Sequence, residues 1–218
     1  MSLCDGEELR LSLAVEQWEA GLAAAREELA RRADRRRVRV WLSGALCRPC
    51  VLPALQGLRN RAEMLKVAQA LAGERTGLAG RCRVWLERGA NPAVPMAAAV
   101  SGALLERLTD EALGRRLASI TPWWAEALNT CLRGPHAPQA IAVRDSDALT
   151  VLAGPAEDFG FAATYFLAHG REAAAAAFAR AMLSADLPAG PRSIWSLGSA
   201  PVGQPVSCAL GVLVETWT

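Results

Sequence analysis

Lysine is almost missing from this sequence: Lys66 is the one lysine among 24 basic residues in 218. Lysine-centred phosphate chemistry is thereby nearly closed off, and neither G-x-x-x-x-G-K-[ST] nor G-x-G-x-x-G occurs to cradle a phosphate. Histidine is scarce too. His136 lies in the Gly134–Pro138 stretch and His169 beside Gly170, which reads as two solvated turns. A histidine-dependent triad has few candidates, and no G-x-S-x-G elbow is present to carry its nucleophile.

Charge of one sign is lacking as well. The 24 basic and 22 acidic residues leave a formal charge of +2, a balance that gives no general mandate for nucleic acid, so no nucleic-acid partner is expected. Long apolar runs are absent: the most apolar, Ala173 to Ala179, stops at Arg180, far short of the roughly 20 residues that cross a bilayer. Asp5, Glu7 and Glu8 stand where a signal peptide would be positive, and no apolar core follows them. The expected location is cytoplasmic, with no membrane span.

What is there is apolar. Hydrophobic residues make up 52% of the chain, which excludes disorder, while 18 Gly and 12 Pro without a period exclude collagen-like repeats. The length allows one large domain or two small ones around a buried core.

Six cysteines fit a reducing compartment. Cys4, Cys82, Cys131 and Cys208 are scattered singly and read as small hydrophobes. Cys47 and Cys50 form the only close pair, in Cys47-Arg48-Pro49-Cys50 after an expected strand. A thioredoxin-like pair would use a helix N-terminus to lower the first thiol's pKa and the second thiol to resolve the mixed disulfide. Here Val51-Leu52-Pro53 follows, an extended piece rather than a helix, so a thiol-disulfide oxidoreductase using Cys47 and Cys50 stands as the alternative function. A zinc site would need a second close Cys/His pair, which the sequence does not contain. No residue is therefore assigned as catalytic, cofactor-binding or metal-ligating, and no cofactor is expected.

Periodicity organises the chain as interleaved strands and helices. Leu9, Leu11, Leu13 and Val15 alternate as a half-buried strand, and Trp18, Leu22, Ala25 and Leu29 make a helical stripe reaching about Ala33. Val38 to Leu42 reads as a strand, Cys50 to Pro53 as a short extended piece, and 58–72 as a helix stopped by Gly73. Arg83 to Glu87 is an expected strand, and Met96, Val100, Ala103, Leu104 and Leu108 an expected helical stripe. Ala118 to Thr121 is a brief strand ended by Pro122, before a helix through Trp123, Ala127 and Cys131. Ala140–Val143 and Ala148–Leu152 flank the polar turn Arg144-Asp145-Ser146-Asp147 as a hairpin. Phe159–Leu167 is a third strand, Arg171–Ala185 an alanine-rich helix, and Ile194–Leu197 and Val206–Val214 are closing strands.

From this order we expect an α/β chain of mixed sheets flanked by helices, divided into 1–115 and 116–218. The last third should form a small mixed sheet. The helix would cross one face with Phe178 and Met182 pointing inward, and Ile194–Leu197 would run parallel to its neighbour.

Two surface features stay open. Arg26 to Arg39 holds seven arginines against Glu27, Glu28 and Asp34, which suits either an acidic partner or membrane leaflet, or simply the solvated end of a helix. Trp123 and Trp124 are adjacent at a helix start, so both cannot face the core.

The stretch Arg39 to Pro53 (RVWLSGALCRPCVLP), the helix and charged-ended strand after it, the small-residue segment Ala97–Leu108, and Leu117-Ala118-Ser119-Ile120-Thr121-Pro122 follow one another in a familiar order. From Val38 to Leu152 this order resembles the cytoplasmic domain of the L component of the bacterial type II secretion system. It is more distantly similar to the type IV pilus assembly protein PilM.

The resemblance implies an actin-like architecture of RNase H-like subdomains. It implies a non-enzymatic cytosolic scaffold whose partner is a cytoplasmic segment of an inner-membrane assembly protein, or a secretion ATPase. It also implies a phosphate-binding turn at the hairpin near Val143 to Leu152 and a second at Leu197-Gly198-Ser199-Ala200. Asp145, Ser146 and Asp147 bring two carboxylates and no glycine to the first, and the second keeps one glycine. A degenerate nucleotide site is expected. The lack of a C-terminal apolar span would make this a free cytosolic version of the domain.

Overall fold

The structure is a computed structural model that describes residues 18–31, 38–54, 60–78, 82–86, 96–110, 117–132, 140–145, 148–154, 159–167, 171–186 and 192–196. The expected strands at Leu9–Val15 and Val206–Val214, both histidines, Ser146, Asp147 and the Gly198 loop lie outside the described residues. In chain order the elements are α1 (Trp18–Arg31), β1 (Val38–Leu42), β2 (Cys47–Val51), α2 (Arg61–Thr76), β3 (Cys82–Leu86), β4 (Met96–Ser101) and α3 (Gly102–Leu108). They continue as β5 (Leu117–Pro122), α4 (Trp123–Leu132), β6 (Ala140–Arg144), β7 (Ala148–Ala153), β8 (Phe161–Phe166), α5 (Arg171–Ser184) and β9 (Arg192–Ser196).

Three sheets result. β1 and β5 pair in parallel, β2-β4-β3 is antiparallel, and β8-β7-β6-β9 is mixed. In the last sheet β6, β7 and β8 run as an antiparallel meander, while β9 lies parallel to β6, with Ala142 opposite Ile194. A parallel return needs a crossover, and α5 supplies it. Its Ala177, Phe178, Ala181 and Met182 pack on Ala140, Ala142, Leu149, Val151 and Ala153. Phe178 is 5% exposed, so the crossover and its inward face are as the sequence leads one to expect.

The opposite face of that sheet explains the alternation along β6. Ile141, Val143 and Leu152 turn away from α5 into a central core with Leu42, Cys47, Ala98, Val100, Leu104, Trp124 and Leu128. On β6 the alanines Ala140 and Ala142 lie beneath the helix and Ile141 and Val143 fill the centre. Both faces are therefore buried.

The segment 96–108 departs from the helix that its stripe predicts. Met96–Ser101 is instead the central strand of the antiparallel sheet. Ala97 and Ala99 face α2 with Ala68 and Ala72, whereas Ala98 and Val100 face the central core. A strand buried on both faces is apolar throughout, and periodicity alone cannot tell it from a buried helix. The helix starts only at Gly102.

α2 also runs further than expected. Asn60 caps its N-terminus, its Oδ1 accepting from the Glu63 amide at 2.9 Å. The end is set by Gly77, at φ +64°, rather than by Gly73, which remains inside the helix.

Candidate functional site: a junction of two turns and the cleft beside it

The chain leaves β1 through a tight turn, Ser43–Leu46, in which the amides of Leu46 and Cys47 donate to the Ser43 carbonyl at 3.1 and 2.9 Å. The β6–β7 hairpin closes with the Asp145 amide donating to Ala148 O at 2.8 Å. These two turns meet. The Gly44 amide donates to Asp145 Oδ2 at 2.6 Å, inside the protein. A Cβ at residue 44 would stand 1.9 Å from Thr150 Oγ1 and 3.2 Å from Thr150 Cβ, so only glycine fits. Thr150 in turn shares a hydrogen bond with Thr164 across β7 and β8, at 3.2 Å.

Asp145 and Thr150 are the buried polar side chains of the described residues, and both sit against Gly44. A buried carboxylate is costly unless it is bonded, and a backbone amide satisfies it strongly. The sequence points to Asp145 but passes over its partner. Ser43-Gly44 directly after a strand was the available signal, though nothing local says what such a turn will touch.

Cys47 and Cys50 do not form a redox pair in this fold. Both lie on β2, three residues apart, so their side chains leave opposite faces of the sheet. Cys47 packs into the central core, whereas Cys50 packs with Ala68, Ala72, Val84, Ala97 and Ala99. Burial pushes the Cys47 thiol well above its ordinary range, with neighbouring Cys82 and Cys50 adding to the effect. Cys50 is pushed up to about 11 by burial, partly opposed by Arg75 and reinforced by Cys82. A reactive thiol needs the reverse environment. The oxidoreductase alternative loses its chemical basis.

Beside the turn junction, β2 and β8 border a cleft of about 240 Å³ that Arg48, Arg75, Thr76 and Gly160 to Thr164 help to line. Arg48 Nε donates to Ala45 O at 3.3 Å, its Nη1 donates to Thr76 O, and its guanidinium lies 4.8 Å from the Phe166 ring centre. Burial lowers the Arg48 pKa. Arg75 Nη1 donates to Val51 O. Neither arginine stands out in the sequence, because the cleft joins segments nearly a hundred residues apart.

Arg32 and Arg35 to Arg37 of the arginine stretch lie outside the described residues. Arg26 donates through Nη2 to Arg107 O at 2.5 Å and pairs with Asp110, tying α1 to the end of α3. Trp124 is buried and donates from Nε1 to Cys47 O at 2.8 Å. Trp123 is half-buried, edge-on to Trp41 at 6.4 Å between ring centres. No helix among the described residues is long and apolar enough to cross a membrane.

No family model matches the sequence, and no curated protein matches it. Among solved structures, the chain is similar to a Bacteroides thetaiotaomicron VPI-5482 protein described as having an actin-like ATPase fold and unknown function. That likeness has a TM-score of 0.52 at 10% identity and covers 76% of this chain and 61% of the other. It is also similar to the cytoplasmic domain of EpsL, an inner membrane component of the type II secretion system of Vibrio cholerae. There the TM-score is 0.42 at 14% identity, over 66% of this chain and 56% of the other. The first likeness shows an actin-like ATPase fold; the second is too low to carry an argument. The chain spans less than two thirds of the length of either structure.

Proposed function

We propose that this chain is a non-enzymatic adaptor or scaffold in a pilus or type II secretion-like inner-membrane assembly, with a degenerate nucleotide site. The observation that carries this reading is the contact between Gly44 N and Asp145 Oδ2, at 2.6 Å. A turn that binds phosphate must hold its amides open to the anion. Here a carboxylate of the protein itself occupies the amide, and the Thr150 hydroxyl fills the space above Gly44. A triphosphate brought to the same junction would meet a buried negative charge. The actin-like fold and the element order from Val38 to Leu152 support placing the chain in such an assembly. Its partner in this reading is a cytoplasmic segment of an inner-membrane protein or a secretion ATPase, which would hold a cytosolic chain at the membrane.

The division into 1–115 and an RNase H-like 116–218 belongs to the same proposal. The parallel β1–β5 pair joins one part to the other, so the two should melt as one unit.

Thermal shift with Mg-ATP tests the nucleotide half. A ligand at 100 times its Kd adds about 2.7 kcal/mol of stability. We expect no shift; a rise of several degrees that disappears in Asp145→Ala overturns the degenerate site. Pairwise two-hybrid assays against cytoplasmic segments of pilus and secretion inner-membrane proteins test the adaptor half. Binding to none of them overturns it.

A further inference from the structure

One atom serves two contacts at the turn junction. Thr150 Oγ1 shares its hydrogen bond with Thr164 Oγ1 at 3.2 Å, and the same oxygen lies 1.9 Å from where a Cβ on Gly44 would stand. Thr150 and Thr164 are direct cross-strand partners on β7 and β8, so both side chains leave the same face of the sheet. Thr150 is buried, whereas Thr164 is half-buried and helps to line the cleft beside β2.

Threonine carries a hydroxyl and a methyl on one Cβ, and its staggered χ1 positions are about 120° apart. A step in one sense brings the methyl to the place of the oxygen; a step in the other leaves only a hydrogen there. The Thr164 hydroxyl holds the rotamer that sets oxygen over Gly44, because a buried hydroxyl must keep a partner. A methyl in the same place is larger and presses on the turn Ser43–Leu46, whose Gly44 amide donates to Asp145 Oδ2.

A second link reaches that turn from the same cleft. Arg48 also lines it, donating from Nε to Ala45 O at 3.3 Å and from Nη1 to Thr76 O near the end of α2. Gly44 and Ala45 are adjacent, so both links act on one turn.

We propose that the cleft and the Gly44–Asp145 junction form one conformational relay, with the Thr150 rotamer as its switch and Thr164 and Arg48 as its positioning residues. The element that both links bias has two discrete arrangements, oxygen over the glycine or not, which is what coupling between separate places requires. A change at either wall residue of the cleft thereby reaches the bond between Gly44 and Asp145. The relay does not depend on the adaptor reading.

Amide hydrogen exchange, followed residue by residue by NMR on the full-length chain, tests the relay at Gly44, with Ala97–Val100 of β4 for comparison. Thr164→Val keeps the shape of the side chain and removes its hydroxyl. Exchange at Gly44 should quicken about tenfold or more, while the β4 amides change about threefold or less. Side-chain couplings of Thr150 should report a changed χ1 rotamer in the same variant. Thr164→Ser restores a hydroxyl and should return the Gly44 rate to about that of the parent protein. Arg48→Gln should also quicken Gly44 more than β4, which keeps the relay testable if Thr164→Val does not fold. An unchanged Gly44 rate in either Thr164→Val or Arg48→Gln overturns the proposal, as does an unchanged Thr150 rotamer in Thr164→Val. Equal quickening at Gly44 and β4 overturns it too, since that is a loss of overall stability, and so does a Thr164→Ser rate as fast as that of Thr164→Val.

Discussion

Gly44 and Asp145 stand 101 residues apart in the chain, yet the amide of one donates to the carboxylate of the other at 2.6 Å. That bond joins the turn after β1 to the turn after β6. Thr150 closes over the same glycine, so hydrogen bonding and packing at the junction depend on each other.

A mutant cycle reads that dependence. Gly44→Ala places a methyl within 1.9 Å of Thr150 Oγ1 and should cost about 1–3 kcal/mol. Thr150→Ala removes the clashing oxygen and leaves the Cβ contact at 3.2 Å, so the double variant should be more stable than the sum of the two losses implies. Urea midpoints of the four proteins check this. Strict additivity would show that the two residues do not touch.

Asp145→Ala should destabilise by about 1–3 kcal/mol, because the Gly44 amide loses its buried acceptor. Asp145→Asn keeps an oxygen in place and should cost less. Equal losses for the two variants would mean that charge, rather than the hydrogen bond, is what the junction needs.

The cysteines make a prediction with a sign. Burial holds Cys50 at about 11, above its unfolded value of 9.0. Below pH 9 the thiol is protonated in both states. Between 9 and 11 the unfolded chain gives up that proton while the folded chain keeps it, so stability falls as pH rises through this window. Cys50→Ala should show a shallower decline, measured as the difference in urea midpoint between about pH 8 and pH 10.5. In the folded protein, mild oxidation should yield no Cys47–Cys50 disulfide by peptide mapping, since the side chains face opposite sides of β2.

Trp123 and Trp124 should respond unequally to the same change. Trp124→Phe leaves the Cys47 carbonyl without its indole donor in the core and should cost about 1–3 kcal/mol. Trp123→Phe leaves the half-buried position an aromatic ring to meet Trp41 and should cost less. Comparable losses in thermal unfolding would contradict the different roles of the two rings.

Much of the fold could be read in local pattern. The alanine-rich helix between strands, the hairpin around Asp145, and the strand ending at Pro122 before the tryptophans all carry their own period and punctuation. Each is an element whose identity is decided within a few residues. Phe178 and Met182, four apart on α5, announce the buried face in the same way.

Position in the sheet decided what local pattern could not. Met96–Ser101 shows a stripe that fits a helix equally well, and becomes a strand because it lies between β2 and β3 with apolar neighbours on both faces. The spacing of Cys47 and Cys50 suggests a redox pair, and the strand separates them to opposite faces by geometry alone. Gly44, Thr150, Arg48 and Arg75 are ordinary residues in the sequence. They acquire a role only when turns and strand edges from distant parts of the chain come together, because contacts of that separation are products of packing and leave no periodic trace in the residues that make them.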